Sequence, residues 1–219
     1  DGVSMAGDLP GGVVTVTATQ DAFAALKEDG SVVTWGGLDS GGDSREVSRD
    51  LAGRVVKVVA SMGAFAALKE DGHVVEWGDR AFGGNMSSQM ALLMSDVVDV
   101  VATRGAFAAL TNVGHVMTWG SIDHGADSSD VMGELVDGVV KVVAIADTFA
   151  ALKQSGRVVT WGVAPDTESR ALTNVTDVTT IGAILFTAVL ANGATMTWGG
   201  AAPARWRHVP PAPPAGPPP

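Results

Sequence analysis

Apolar positions along the chain fall into short runs divided by glycine-containing turns, and the runs recur. Val13 to Ala18, Val55 to Ala60, Val97 to Ala102 and Val139 to Ala144 are valine strands in which a polar residue, as at Lys57, Asp99 or Lys141, stands between apolar neighbours. Such runs predict strands covered on both faces, with one position reaching solvent. A second strand follows each after a short turn, as in Phe65-Ala-Ala-Leu-Lys69. Its alanines let another sheet approach closely, and its Phe and Leu fill the gap. Next comes a turn ending in Gly30, Gly72, Gly114, Gly156 or Gly193, with Asp or Asn before it in three of the five cases. That pattern predicts a hairpin needing a positive φ, and so a third, antiparallel strand from Val32 to Trp35 and in its copies. Val47 and Leu51, or Val131 and Leu135, are apolar residues four apart behind an Asp-Ser start, with Gly53 or Gly138 beyond. They predict one or two helical turns capped at both ends.

The Trp-Gly pairs begin at Trp35, Trp77, Trp119, Trp161 and Trp198, so the period is 42 residues three times and then 37. A fixed period in this range signals an array whose units bury their apolar faces against one another. The expected repeat core is Phe23, Trp35, Phe65, Trp77, Phe107, Trp119, Phe149, Trp161, Phe186 and Trp198. The fifth unit departs: its connector, Val163 to Thr173, is short, its first strand, Val175 to Ile181, is polar, and Ile184-Leu185 replaces Gly-Ala before Phe186. Residues 1–199 read as the repeat domain, entered partway through a unit. Residues 200–219 read as a separate Pro-rich tail that favours extended polyproline II.

The 219 residues are 46% hydrophobic with a mean hydropathy of +0.25, yet no apolar run has the length of a membrane span. A net charge of −10 repels a phosphate backbone, so no nucleic-acid partner is expected. The absence of cysteine excludes disulfides, cysteine-ligated zinc and a thiol nucleophile. It leaves the compartment open; with a chain that starts at Asp1, it is compatible with an organellar lumen or the extracellular space.

The Val-x-x-Val-Ala run followed by Phe-Ala-Ala-Leu-Lys-x-Asp-Gly-x-Val-x-x-Trp-Gly resembles the repeat of the regulator of chromosome condensation family. In its three-stranded form it looks most like the propeller-type β-lactamase inhibitor proteins of soil bacteria. The resemblance covers about nine-tenths of the chain. It implies an all-β propeller of five visible units, mostly three-stranded antiparallel blades set radially about an axis, with loops presented to other proteins. Family propellers usually have seven blades, and the Gly-Gln-Leu-Gly connector of the nucleotide-exchange members is replaced here by Gly-Gly-Asp-Ser, so no exchange-factor residues carry over.

Candidate chemistry is sparse. Asp39, Asp43, Asp123, Asp127 and Asp130 have the oxygen ligands calcium prefers, but Ala81 and Asn85 interrupt the series, and helix capping explains them better. His73 and His115 share a repeat position whose other occupants are Ser31, Arg157 and Ala194, which fits an exposed turn. His124 lies near Asp123 and Asp127 without a third group. No catalytic triad, phosphate loop or HExxH motif is present, so neither catalysis, a metal nor a cofactor is expected. The repeat tryptophans fit interblade packing better than a stacking ladder. Arg205, Trp206, Arg207 and His208 lie outside the repeats and have the composition of a binding anchor. The sequence thus reads as a noncatalytic protein-interaction propeller, a peripheral or scaffolding subunit of a larger assembly, with a hydrolase inhibitor and a lectin-like sugar binder as alternatives.

Overall fold

The computed structural model describes residues 11–84, 95–163, 172–182 and 184–199. These form five three-stranded antiparallel sheets, each built from strands consecutive in sequence. The first blade is β1 (Val13–Ala18), β2 (Ala22–Lys27) and β3 (Val32–Gly36), and the second is β4 (Val55–Ala60), β5 (Ala64–Lys69) and β6 (Val74–Gly78). The third is β7 (Val97–Ala102), β8 (Ala106–Thr111) and β9 (Val116–Gly120). The fourth is β10 (Val139–Ile145), β11 (Thr148–Lys153) and β12 (Val158–Gly162), and the fifth is β13 (Val175–Ile181), β14 (Leu185–Leu190) and β15 (Thr195–Trp198). Among the described residues no helix is long and apolar enough to cross a membrane.

Strand alternation sends the two bulky side chains of each middle strand opposite ways. Phe65 packs back against Ala22, Ala24 and Leu26 of the first blade, whereas Leu68 packs forward against Val97, Val100 and Phe107 of the third. The same exchange recurs between the third and fourth blades and between the fourth and fifth. The core is therefore four slabs between neighbouring sheets, and it rests on alanines that keep those sheets close. Each Trp faces its own blade's Phe across the strand pair, as Phe65 faces Trp77 in register, with ring centroids 5.1 Å apart. Phe65, Phe107, Phe149 and Phe186 are fully enclosed, as are their tryptophan partners. Phe23, expected in the same core, is 42% exposed, and Trp35 is only half-buried, because no preceding blade among the described residues covers that face.

Every first strand contains a bulge: the register slips between Val55 and Lys57 and at the equivalent place in the other four blades. The extra residue (Val14, Val56, Val98 or Val140) is pushed out to solvent, as bulged residues are re-aimed. The polar position after it is not simply solvated, as its sequence pattern suggests. Lys57 Nζ reaches Asp99 Oδ1 at 2.6 Å and Lys141 Nζ reaches Asp177 Oδ1 at 2.8 Å, pairing successive blades. With both partners close to 40% exposed, a double-mutant cycle on Lys57 and Asp99 is expected to give a coupling of about 0.2–1 kcal/mol that fades at high salt.

The hairpin glycines have the expected left-handed backbone, φ +79° at Gly72, for a second reason as well. A Cβ there would lie 2.8 Å from Asp96 Cα, where the chain enters the next blade. Val97 N donates to Gly72 O at that junction. The entering residues Arg54, Asp96 and Asn174 are themselves left-handed without being glycine.

The connectors contain the expected helical turns but not the expected caps. Single 3-10 turns occur at Arg45–Val47 and Ser129–Val131, the latter running into one α-helical turn, Met132–Leu135, and Leu51 N donates to Val47 O as the four-residue spacing predicts. Ser44 and Ser128 make no capping bond. Their hydroxyls instead meet Thr34 and Thr118 of the third strands, at 2.8 and 3.0 Å, tying each connector to its own blade. The aspartates do the local work: Asp43 Oδ1 accepts from Arg45 N and Asp127 Oδ1 from Ser129 N.

Candidate functional site: a variable strip at one end of the blades

The first and second strands of each blade are joined by a two- or three-residue turn, and the connector leaves the third strand at the same end. In three blades the turn follows one local rule. Thr19, Ser61 and Thr103 each accept a bond from the N–H three residues on, at Ala22, Ala64 and Ala106, all at 3.0 Å. The same hydroxyls donate to a connector carbonyl: Thr19 to Ser40 at 3.1 Å, Ser61 to Phe82 at 2.9 Å and Thr103 to His124 at 2.6 Å. One hydroxyl thus fixes both the turn and the connector, so Ser40, Phe82 and His124 come to equivalent places through backbone contacts that ignore their side chains.

The turns are also linked from blade to blade. Gln20 N donates to Met62 O, Met62 N to Arg104 O and Arg104 N to Ala146 O, at 2.7–2.9 Å. The side chains on this frame vary while the frame does not. Phe82 lies over Gly63 and His124 over Gly105; a Cβ on either glycine would come within 2.9 or 2.4 Å of the ring above it. The Phe82 and His124 rings stack at 5.9 Å with planes 19° apart. His124 Nδ1 lies 2.8 Å from Asp147 Oδ1 of the next blade, and Arg104 Nη1 donates to the other oxygen of that carboxylate at 3.1 Å. Met62, Phe82, Arg104, His124 and Asp147 therefore form one strip across three blades, half-buried except for the more open arginine.

Sequence reasoning did not find this strip. His124 stood there without a partner because Asp147 is 23 residues away, and only the stacking of blades joins them. A signal was present in the 42-residue recurrence of Ser or Thr three positions before Ala (Thr19, Ser61, Thr103), which marks the turns that hold it.

The other candidate residues are dispersed. His73 Nδ1 lies 3.2 Å from Asp71 of its own turn and is exposed, and His115 sits half-buried in the next hairpin without joining it. Asp29 is bonded by the amide and hydroxyl of Ser31, which hold its carboxyl below the usual carboxylate range. Asp43 is held further down, to about 2, by the guanidinium of Arg45 and by the Arg45 amide. Because its folded pKa is depressed, Asp43's contribution is complete above its ordinary value of 3.8 and is lost as pH falls through about 2. Arg45→Ala is expected to move the Asp43 carboxyl titration, followed by NMR, back toward 3.8. Among the described residues no three His, Asp or Glu side chains are placed to share a metal ion. Trp77, Trp119, Trp161 and Trp198 are buried on their phenylalanines and present no open face for a sugar or base to stack on. Arg205, Trp206, Arg207 and His208 lie outside the described residues.

No protein-family model matches the sequence, and no curated protein matches it. Solved structures do. The chain is similar to human WBSCR16, at 15% identity and a TM-score of 0.60, covering 93% of this chain and 68% of that one. It is similar to the ectodomain of the receptor kinase CR4 of Physcomitrella patens, at 15% identity and a TM-score of 0.53, covering 87% of this chain and 51% of that one. A third likeness is to Prp20p of Saccharomyces cerevisiae, the yeast RCC1, at 20% identity and a TM-score of 0.51, covering 85% of this chain and 58% of that one. The chain thus spans about half the length of the CR4 ectodomain. At these identities the likeness establishes the fold: an all-β, propeller-like array of three-stranded antiparallel blades.

Proposed function

We propose that this chain is a noncatalytic propeller that binds other proteins, a peripheral or scaffolding subunit of a larger assembly, and that the Met62–Phe82–Arg104–His124 strip is its recognition surface. The supporting observation is the contrast between a frame held by repeated backbone bonds and the changing side chains mounted on it. Methionine, aromatic residues and arginine are the types enriched at the centres of protein interfaces. Asp147 holds the Arg104 and His124 side chains in place before any partner arrives, which reduces the ordering cost of binding. The regulator of chromosome condensation type of repeat agrees with this reading, as does the yeast relative whose structure was described together with its binding to Gsp1p and histones. The net charge of −10 favours a protein partner over a nucleic acid. The Pro-rich sequence of residues 200–219 supports a second contact through Arg205, Trp206, Arg207 and His208.

The test is a photo-crosslinking amino acid placed at Phe82, with the same group at the exposed Val136 as control, followed by mass spectrometry of the adducts. A partner captured from Phe82 and not from Val136 is expected. Arg104→Glu should weaken its binding at least about tenfold, the range of an interface hot spot. Removal of residues 201–219 should weaken it separately. Capture from Val136 alone, or binding indifferent to Arg104→Glu, refutes the assignment of the strip.

A further inference from the structure

Among the described residues an aspartate or asparagine precedes glycine four times, at Asp29-Gly30, Asp71-Gly72, Asp137-Gly138 and Asn192-Gly193. Such a step can close on itself, because glycine has no side chain to shield its amide nitrogen from the carbonyl carbon of the side chain before it. Three of the four are hairpin turns in which both reacting groups are tied. The side-chain oxygen of Asp29 accepts from Ser31 N at 2.9 Å, that of Asp71 from His73 N at 3.3 Å and that of Asn192 from Ala194 N at 3.0 Å. The glycine amides are held as well: Gly30 N donates to Lys27 O at 2.9 Å, Gly72 N to Lys69 O at 3.0 Å and Gly193 N to Leu190 O at 2.9 Å. Asp137-Gly138 is built differently. It lies where the connector enters the fourth blade, and the amide two residues after the aspartate, Val139 N, is already spent on Gly114 O at 3.1 Å. The Asp137 side chain is 81% exposed, and its nearest partner, Lys153 Nζ, is 3.5 Å away. That ammonium makes its short bonds, both 2.6 Å, to the main-chain oxygens of Glu134 and Asp137. Among the described residues Gly138 N has no acceptor. The other blades are entered through Gly12, Arg54, Asp96 or Asn174, none of which follows an aspartate.

We propose that Asp137 is a modification site, the one of these four steps that the fold leaves free to pass through a cyclic imide to isoaspartate. Gly138 N forms a bond to Asp137 Cγ and gives up its proton, and a carboxyl oxygen leaves as water. Water then adds to the main-chain carbonyl carbon of Asp137, and the bond from that carbon to Gly138 N breaks. The chain afterwards runs through the former side chain, and the former main-chain carboxyl is free. Lys153 favours this product, because the neutral oxygen it holds at 2.6 Å becomes part of a carboxylate, and a hydrogen bond between two ions is the stronger. The main chain has then grown by a methylene between the connector and β10. The change falls on the two bonds that set the entry to the fourth blade, Val139 N to Gly114 O and Gln154 N to Gly138 O.

The test ages the full chain in mildly acidic buffer for several weeks, folded in one arm and unfolded in urea in the other. Isoaspartate is then located residue by residue by electron-transfer fragmentation of the peptides. In the folded arm it is expected to accumulate at Asp137 at least about tenfold faster than at Asp29 or Asp71, the factor that one lost charge-assisted hydrogen bond corresponds to. In urea the three rates are expected to converge. Amide hydrogen exchange at Val139 and Gln154 should quicken in the aged folded chain and stay unchanged in an equally aged Asp137→Glu chain, whose longer side chain would have to close a larger ring. A folded-state rate at Asp137 no higher than at Asp29 and Asp71 overturns the proposal. So does a preference for Asp137 that persists in urea, since local sequence and not the fold would then be its cause.

Discussion

Phe107→Ala is expected to destabilise the protein by about 3–5 kcal/mol, the cost of emptying a fully buried aromatic site that cannot collapse. For a chain of this size that corresponds to a melting temperature lower by roughly 10 °C. Collapse is blocked because the ring lies between two sheets that their own strand pairings hold apart, with Trp119 stacked on one side at 5.3 Å and Gly83 beneath it. The same substitution at Phe23 removes a side chain that water already reaches, and about 1–2 kcal/mol is expected. The comparison isolates burial, since both residues occupy the same repeat position and stack on a tryptophan, Phe23 at 5.4 Å from Trp35. Thermal and denaturant melts of the two variants decide it. Equal losses would show that the aromatic pair within a blade, and not the neighbouring blade, supplies the stability.

Gly120→Ala should be comparably damaging, about 2–6 kcal/mol once backbone strain and overpacking are combined. Gly120 has φ +111°, a conformation closed to residues with a Cβ, and the added atom would lie 2.6 Å from Gly105 O and 2.8 Å from Ala106 Cα. Neither contact is with a flexible side chain, so the strain falls on β8 itself, and on the turn that supports His124. The control is Gly133→Ala in the α-helical turn Met132–Leu135, where a Cβ meets nothing within 4 Å. There a neutral to slightly stabilising change is expected, because alanine restricts the unfolded chain. Circular dichroism melts of both variants, read with crosslinking from Phe82, would show whether damage at Gly120 spreads to the strip.

Much of the fold was legible because a repeat states its own boundaries. The Asp-Gly or Asn-Gly hairpins, the antiparallel third strand and the Trp-Gly stop all appear where the pattern places them, since each depends on neighbours within a few residues. The connector's caps were misread for a related reason. Val47 and Leu51 have helical spacing, but Ser44 and Ser128 spend their hydroxyls on the third strand and cap nothing. That choice depends on Thr34 and Thr118 being alongside, ten residues away in sequence. Phe23 was misplaced because its local sequence matches that of Phe65, and local sequence carries no record of whether a neighbouring sheet is present.

What the sequence determined by itself is the unit: three strands, two turns and a connector, with alternation in the middle strand sending Phe to one face and Leu to the other. Those features follow from backbone sterics and from the two-residue period of a strand, both local. What only the tertiary structure decided is how unlike residues of different units meet. Lys57 finds Asp99, His124 finds Asp147, Phe82 stacks on His124, and Phe23 is left uncovered. Each of these depends on which blade stands beside which, and the repeat makes every blade's framework alike while leaving its displayed side chains free to differ.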